Sequence, residues 1–193
     1  MPESTSSGSS LEAPLPDHVR LSHDGADLVL DVRWFRPIHL GMLLFAIFWD
    51  GFIVFWYRQA LSRPSPDNVM LWFPLLHVGA GLAITYSAIT GLVNHTTVTV
   101  GGGAVDVKLG PLPWWGAKRV EAGDIVQVFC EESISRTRSG ASTSYHLNVI
   151  TRDQRKVRLA SNLGGKDVAL FLEQEIEKAL GISDRKVPGE LSK

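Results

Sequence analysis

Two ionisable residues lie inside long apolar stretches of the sequence, where burying a charge is costly. Asp50 interrupts the apolar run 38–57, and His77 interrupts the run 70–93. In two antiparallel helices both residues would lie about 10 Å below the same end of the pair. At matched depth a carboxylate and an imidazole can share a proton or form a charge-assisted hydrogen bond. The pair therefore predicts either a proton-linked function or a bond that holds the two helices together.

A second group of candidate residues is basic. It comes from one loop and the adjoining hairpin: Arg136, Arg138, Arg152, Arg155, Lys156 and Arg158. Anionic lipid headgroups attract such residues at about 1 kcal/mol each when they lie near the membrane surface. The alternative interpretation is a row of charges that protects the edge of a β-sheet.

Charge and cysteine content limit the remaining functions. The chain has 19 basic and 20 acidic residues, a net charge of −1, which gives no field for binding nucleic acid. Cys130 is the only cysteine, and it alternates with apolar neighbours as a small core residue would. No nucleophile motif, phosphate loop or metal-ligand spacing is present in the sequence. We therefore expect a protein that is not an enzyme and that has no cofactor or metal.

The two apolar runs predict a pair of transmembrane helices. Each run is long enough to cross a hydrocarbon core of roughly 30 Å. The connection 58–69 is short, so the helices form an antiparallel hairpin and both chain termini lie on the same side. Basic residues near the spans favour that side over the connection: Arg20, Arg33, Arg36 and Lys108 against Arg58 and Arg63. This distribution predicts a multi-pass protein of the inner (plasma) membrane with both termini in the cytoplasm.

Small residues recur every fourth position along the second span, at Gly79, Ala83, Ser87 and Gly91. Such a stripe lets another helix backbone approach closely. The first span can fill it, or it can form a docking face for another membrane protein or for a second copy of this chain. Either way, we expect the bilayer and a membrane-protein partner or self-association to be the protein's main contacts.

Outside the spans the pattern changes to short alternating strands. Residues 96–100 and 104–109 flank a run of three glycines, which is typical of a β-hairpin. Further strands are predicted up to residue 160, with a mobile loop at Ser133–Ser144. An amphipathic helix at about 166–180 ends the domain, and Gly181 is placed to terminate it.

The predicted organisation has five parts. Residues 1–17 form a disordered tail, 18–33 a β-hairpin that joins the C-terminal sheet, and 34–94 the transmembrane hairpin, with spans at about 38–57 and 70–93. Residues 95–182 form the β domain with its C-terminal helix, and 183–193 form a flexible tail. The fold class is membrane α + β, and the layout of a small antiparallel β domain closed by a helix is that of pleckstrin-homology-like (PH-like) domains.

Five segments carry a resemblance to a known family. They are RWFRP at 33–37, FWDGFIVFWY at 48–57, LLHVGAGLAITY at 75–86, GPLPW at 110–114 and LEQEIEKALGI at 172–182. In these segments the chain resembles a family of bacterial proteins with two transmembrane helices and a PH-like cytoplasmic domain, most of them uncharacterised. The resemblance implies a membrane-anchored scaffold or adaptor whose PH-like domain binds a protein partner. Anionic-lipid binding by the same domain, and a proton-linked role for Asp50 and His77, are the alternatives.

Overall fold

The computed structural model describes residues 15–64, 68–137, 140–183, 185, 187 and 189–191. The chain divides into two compact units. The helical unit comprises Arg33–His95 and Leu109–Trp114, and the β unit comprises Met1–Val32, Thr96–Lys108 and Trp115–Lys193. Of the predicted N-terminal tail only residues 15–17 are among those described, and there Pro16 is buried and its carbonyl accepts a bond from the Val19 N–H.

The helical unit contains helices α1 (Pro37–Leu61), α2 (Asn68–Trp72) and α3 (Leu75–Val93). Pro37 starts α1, at a position where its missing N–H costs nothing. The second predicted span is interrupted after α2, because Pro74 has no N–H for the Met70 carbonyl four residues earlier. Helical bonding resumes at once, from the Val78 N–H to the Pro74 carbonyl at 2.8 Å.

One stripe of α1 packs against α3, and its residues recur every three or four positions. The least exposed residues of α1 are His39, Met42, Leu43, Ala46, Trp49, Asp50, Ile53, Trp56, Tyr57 and Ala60. This spacing is that of two helices packed side by side. Only 11% of the apolar window in each of Pro37–Leu61 and Asn68–Val93 is buried within the chain. The protein therefore has two helices that are long and apolar enough to cross a membrane.

The β unit is built on two sheets. The first has the strand order β1 (Val19–Asp24), β2 (Asp27–Arg33), β3 (His95–Gly101), β4 (Ala104–Gly110) and β5 (Lys118–Glu121). The second consists of β6 (Ile125–Thr137), β7 (Gly140–Thr151) and β8 (Lys156–Leu163), paired antiparallel in that order. Gly102 and Gly103 both have positive φ angles, as the tight turn between β3 and β4 requires. Neighbouring strands β2 and β3 are separated in the chain by the whole helical hairpin.

Helix α4 (Lys166–Leu180) packs its apolar face on the second sheet and ends at Gly181, whose φ is +66°. The core combines side chains of α4 with both sheets, including Leu30, Val98, Leu147 and Leu172. The result is an α+β layout, with two long apolar helices, antiparallel sheets and a C-terminal helix.

Two predicted flexible segments differ from the structure. Ser133–Ser144 was expected as a mobile loop, but its described residues extend β6 and β7 in unbroken register to the pair Thr137 and Gly140. Serine, threonine and alanine lack the apolar alternation that identifies a strand in sequence, yet their backbones can pair. In the predicted tail 183–193, Leu191 is buried in the core and its N–H donates to the Cys130 carbonyl at 2.8 Å.

Candidate functional site

Asp50 lies half-buried on α1, in a notch of α3. Its Oδ2 accepts a hydrogen bond from the Thr85 hydroxyl at 2.7 Å. One turn away on α3, Gly81 has no side chain, and a Cβ there would overlap the other carboxylate oxygen of Asp50. Gly81 and Thr85 together therefore admit the carboxylate between the helices, one by leaving space and the other by supplying a donor.

The predicted bond between Asp50 and His77 is not formed: within the described part of the chain, no hydrogen bond or ion pair joins them. The His77 ring instead packs on Trp49, with centroids 5.7 Å apart, and on Phe73, at 5.1 Å. Side chains lean towards the N-terminus of their own helix, so in antiparallel helices two residues at equal depth lean apart. Asp50 thus reaches Thr85, and His77 reaches Phe73. A proton-linked role for either residue stays a prediction.

Aromatic side chains of α1 donate to two carbonyls at the break between α2 and α3, one of which is the Met70 carbonyl that Pro74 leaves without a donor. The indole N–H of Trp56 donates to the Met70 carbonyl at 3.2 Å, and the Tyr57 hydroxyl donates to the Leu71 carbonyl at 3.0 Å. Unsatisfied backbone groups are costly away from water, so these bonds make the break between α2 and α3 tolerable in an apolar surrounding. These bonds were not predicted from the sequence, where the only signal for them is a proline within one span together with Trp56 and Tyr57 at the end of the other.

The small-residue stripe of the second span is divided between two faces. A Cβ added at Gly91 would overlap the His39 ring of α1, so this glycine serves the contact between the two helices. Gly79 and Ala83 are exposed, and open space surrounds the Cβ position of Gly79. Ser87 is half-buried and its hydroxyl donates to the Ala83 carbonyl at 2.7 Å. The first span therefore fills only part of the predicted stripe.

The end of α3 is bonded to the proline-rich segment Leu109–Trp114 of the same unit. The buried side chain of Asn94 accepts from the Leu112 N–H at 2.9 Å and donates to the Leu112 carbonyl at 3.0 Å. The Trp114 ring stacks on Tyr86 and meets the edge of Trp34. Trp34, Tyr86 and Trp114 are far apart in the sequence, and the fold brings them together as one aromatic cluster beside the C-terminal part of α3.

Acidic residues neutralise part of the predicted basic patch. Lys156 Nζ contacts both oxygens of Glu131 at 2.8 Å, and an Arg158 nitrogen lies 3.8 Å from the same carboxylate. The bond from Lys156 holds the pKa of Glu131 below its ordinary value. Arg155 is paired with Asp153, whose pKa is lowered by bonds from the Thr151 hydroxyl and from Arg155.

The rest of the predicted patch is less constrained. Arg136 and Arg152 are exposed, and neither makes an ion pair with any residue in the described ranges. Arg138 lies outside those ranges. The structure therefore places three of the six predicted cations beside carboxylates and leaves two described arginines open to solvent.

His146 is buried near Glu131, Lys156 and Arg158, and its pKa leads to a prediction about how stability depends on pH. Its Nδ1 accepts from the Asn162 N–H at 3.4 Å, which requires an unprotonated nitrogen. Burial lowers the pKa of His146, as do the nearby cations Arg158 and Lys156, against an opposing effect of Glu131. As pH falls through about 6.5 the unfolded chain therefore takes up a proton that the folded chain resists, so stability decreases.

The test compares wild type with His146→Gln by denaturant unfolding at pH 7.5 and pH 5.5. We expect the free energy of unfolding to fall more for wild type over this interval than for the variant. This interval lies above the range in which Glu131 and Asp153 titrate, so the difference isolates the imidazole. Equal losses in both proteins would contradict the assignment.

A buried polar network joins α4 to β6. The fully buried carboxylate of Glu173 accepts from the Cys130 N–H, and that of Glu177 accepts from the Gln127 side chain at 2.8 Å. Burial raises the pKa of the Cys130 thiol strongly, and its Sγ donates to the Ala169 carbonyl. Cys130 is therefore a bonded core residue with no accessible thiolate for nucleophilic chemistry.

A cleft of about 1040 Å³ lies between the C-terminal half of α4 and the end of the first sheet. Its apolar wall includes Leu21, Leu28, Val100, Ala104, Phe171, Ala179 and Leu180. His23, Glu175 and Lys178 supply polar groups. Leu15, from the segment before β1, also lines the cleft and is 55% exposed. No residue of this cleft was singled out from the sequence, because it joins three distant parts of the chain.

Metal ligation finds no support in the described residues, where no group of three or more His, Cys, Asp or Glu side chains is arranged around a common point. Comparison of the sequence with models of known families and with curated protein sequences gave no match.

Proposed function

We propose that this protein is a membrane-anchored, non-enzymatic adaptor of the inner membrane. In this proposal α1 and the α2–α3 segment cross the bilayer, and both termini and the β unit lie in the cytoplasm. The apolar outward surface of the helices supports the anchoring, because 11% burial is far below that of a core helix in a soluble domain. The larger number of basic residues on the terminal side supports the orientation.

We further propose that the β unit is a PH-like domain that binds a protein partner in the cleft beside α4. Two antiparallel sheets closed by a C-terminal helix support the PH-like assignment. The cleft supports the binding, because it combines an apolar wall with a few polar groups, as binding sites commonly do. We propose a peptide with a leucine-like anchor as the occupant, since Leu15 of this chain already lines the cleft and is 55% exposed.

Photo-crosslinking in native membranes tests this proposal. A photoreactive amino acid at His23, which is exposed and lines the cleft, should capture a protein partner. Ala179→Trp fills the cleft from an exposed position and should reduce this crosslink at least roughly tenfold, by excluding the anchor side chain. Lys166→Trp adds the same side chain to α4 outside the cleft and should leave the crosslink intact. Equal capture by both variants would refute cleft binding.

Anionic-lipid binding is the alternative function, and it depends on the two arginines that face solvent without a carboxylate. Native mass spectrometry of the gently extracted protein separates the two proposals. Retained anionic lipid that is lost in Arg136→Gln/Arg152→Gln, with no protein captured through His23, would favour the lipid. A stoichiometric protein partner that remains in that variant and is lost in Ala179→Trp would favour the adaptor.

A further inference from the structure

The hairpin of β6 and β7 projects beyond the sheet to which it belongs. Strand β8 pairs with β7 only as far as Tyr145, opposite Leu163. Beyond the pair Glu132 and Tyr145, β6 and β7 pair only with each other, and they end at Thr137 and Gly140. We call the residues 132–137 and 140–144 the ribbon. A two-stranded ribbon is marginally stable by itself and is normally extended by further strands.

The outer edge of β6 is covered at its base, whereas along the ribbon no residue of the described ranges bonds it. The Cys130 N–H and carbonyl both point away from β7, where they bond Glu173 and Leu191. Backbone groups alternate in direction along a strand, and the register is unbroken here. The N–H and carbonyl groups of Glu132, Ile134 and Arg136 therefore point to the same edge, where none of the described residues bonds them.

The side chains of this edge are complementary to themselves. Glu132, Ile134 and Arg136 lie on one face of the strand, because side chains alternate between the faces. Ile134 is 55% exposed, and Glu132 and Arg136 make no ion pair within the described chain. Two opposite charges thus stand at equal distances on either side of one exposed apolar residue.

We propose that the occupant of this edge is a second copy of the chain, with β6 pairing antiparallel to the partner's β6 about a two-fold axis at Ile134. Ile134 then faces the partner's Ile134, and Glu132 faces the partner's Arg136. Every open backbone group of the three residues finds a partner, and the two ribbons together form a four-stranded sheet with the two copies of β6 at its centre. The pairing cannot extend past Cys130, because its N–H and carbonyl are already bonded to Glu173 and Leu191. It is therefore limited to the stretch from Glu132 to Arg136, whose middle residue is Ile134.

Two-fold registers centred on the other two outward-facing residues of this stretch are unfavourable. A centre at Glu132 sets two glutamates opposite each other, and a centre at Arg136 sets two arginines opposite each other. Like charges directly across strands are destabilising, whereas opposite charges stabilise the pair. Among centres at Glu132, Ile134 and Arg136, the charge pattern therefore selects Ile134, and the contact is isologous and closes as a dimer.

Charge reversal in the full-length protein tests the proposal. Sedimentation velocity in detergent micelles, at up to about 100 μM protein, should show a wild-type dimer. Glu132→Arg or Arg136→Glu alone sets like charges at both ends of the contact and should raise the dimer dissociation constant roughly tenfold or more. The double variant restores opposite charges and should return to within about threefold of wild type.

Two controls keep the outcomes interpretable. Lys166→Glu reverses an exposed charge outside the ribbon and should leave the dimer unchanged, and circular dichroism should show the same fold in every variant. A monomeric wild type, a dimer that both single reversals leave intact, or a double variant as weak as the single ones would each overturn the proposal. This test is independent of the cleft, so adaptor binding and self-association can fail separately.

Discussion

Replacing Gly81 with leucine is expected to push the two long helices apart at the notch that holds Asp50. A Cβ at this position would overlap a carboxylate oxygen of Asp50 and lie 3.1 Å from the Trp49 ring. The carboxylate must then leave the notch and lose its bond from Thr85. Overpacking of this kind costs about 1–3 kcal/mol, and the lost interhelical bond adds roughly 0.6 kcal/mol.

Unfolding by SDS in mixed micelles measures this effect, with the fluorescence of Trp49 and Trp56 as the signal for helix separation. Gly79→Leu is the matched control, because it makes the same change two residues away, where open space surrounds the Cβ. The Gly81 variant should unfold at lower SDS, while the Gly79 variant should match wild type. Loss of stability in the Gly79 variant alone would contradict this prediction. It would show that the exposed face of α3 at Gly79, and not the notch at Gly81, holds the helices together.

Replacing Glu173 with alanine is expected to destabilise the β unit more than any other single loss of a polar side chain from α4. The carboxylate is fully buried and accepts the Cys130 N–H, a bond that joins residues far apart in sequence. Its removal leaves that buried donor without its acceptor, which costs about 1–3 kcal/mol. The vacated volume adds a further loss, since buried side chains leave cavities when truncated.

Denaturant unfolding of the full-length protein, followed by the β signal in circular dichroism, measures this loss. Glu173→Gln keeps an acceptor oxygen in place and should recover part of the stability. Glu175→Ala removes the same side chain two residues along α4, where it is only half-buried, and should stay within about 0.5 kcal/mol of wild type. Equal losses at the two glutamates would contradict the assignment of the loss to the buried bond with Cys130.

The long elements of this protein follow from local sequence pattern. Continuous apolar runs determine α1 and α3, and a 3.6-residue period determines α4, because length and periodicity are properties of neighbouring residues. The glycine pair at Gly102 and Gly103 likewise marks its own turn. The ribbon escaped prediction, since its strands are identified by pairing partners and carry almost no apolar alternation.

The contacts within the candidate sites were decided by tertiary structure alone. Matched depth suggested that Asp50 meets His77, but the direction in which side chains lean sends them to different partners. Glu173 is buried because a strand edge 43 residues away supplies its donor, a contact that the helical pattern of α4 alone does not indicate. The cleft joins segments from both ends of the chain. Sequence determined which elements form, because these are local; packing determined which side chains meet, because that depends on the orientation of distant elements.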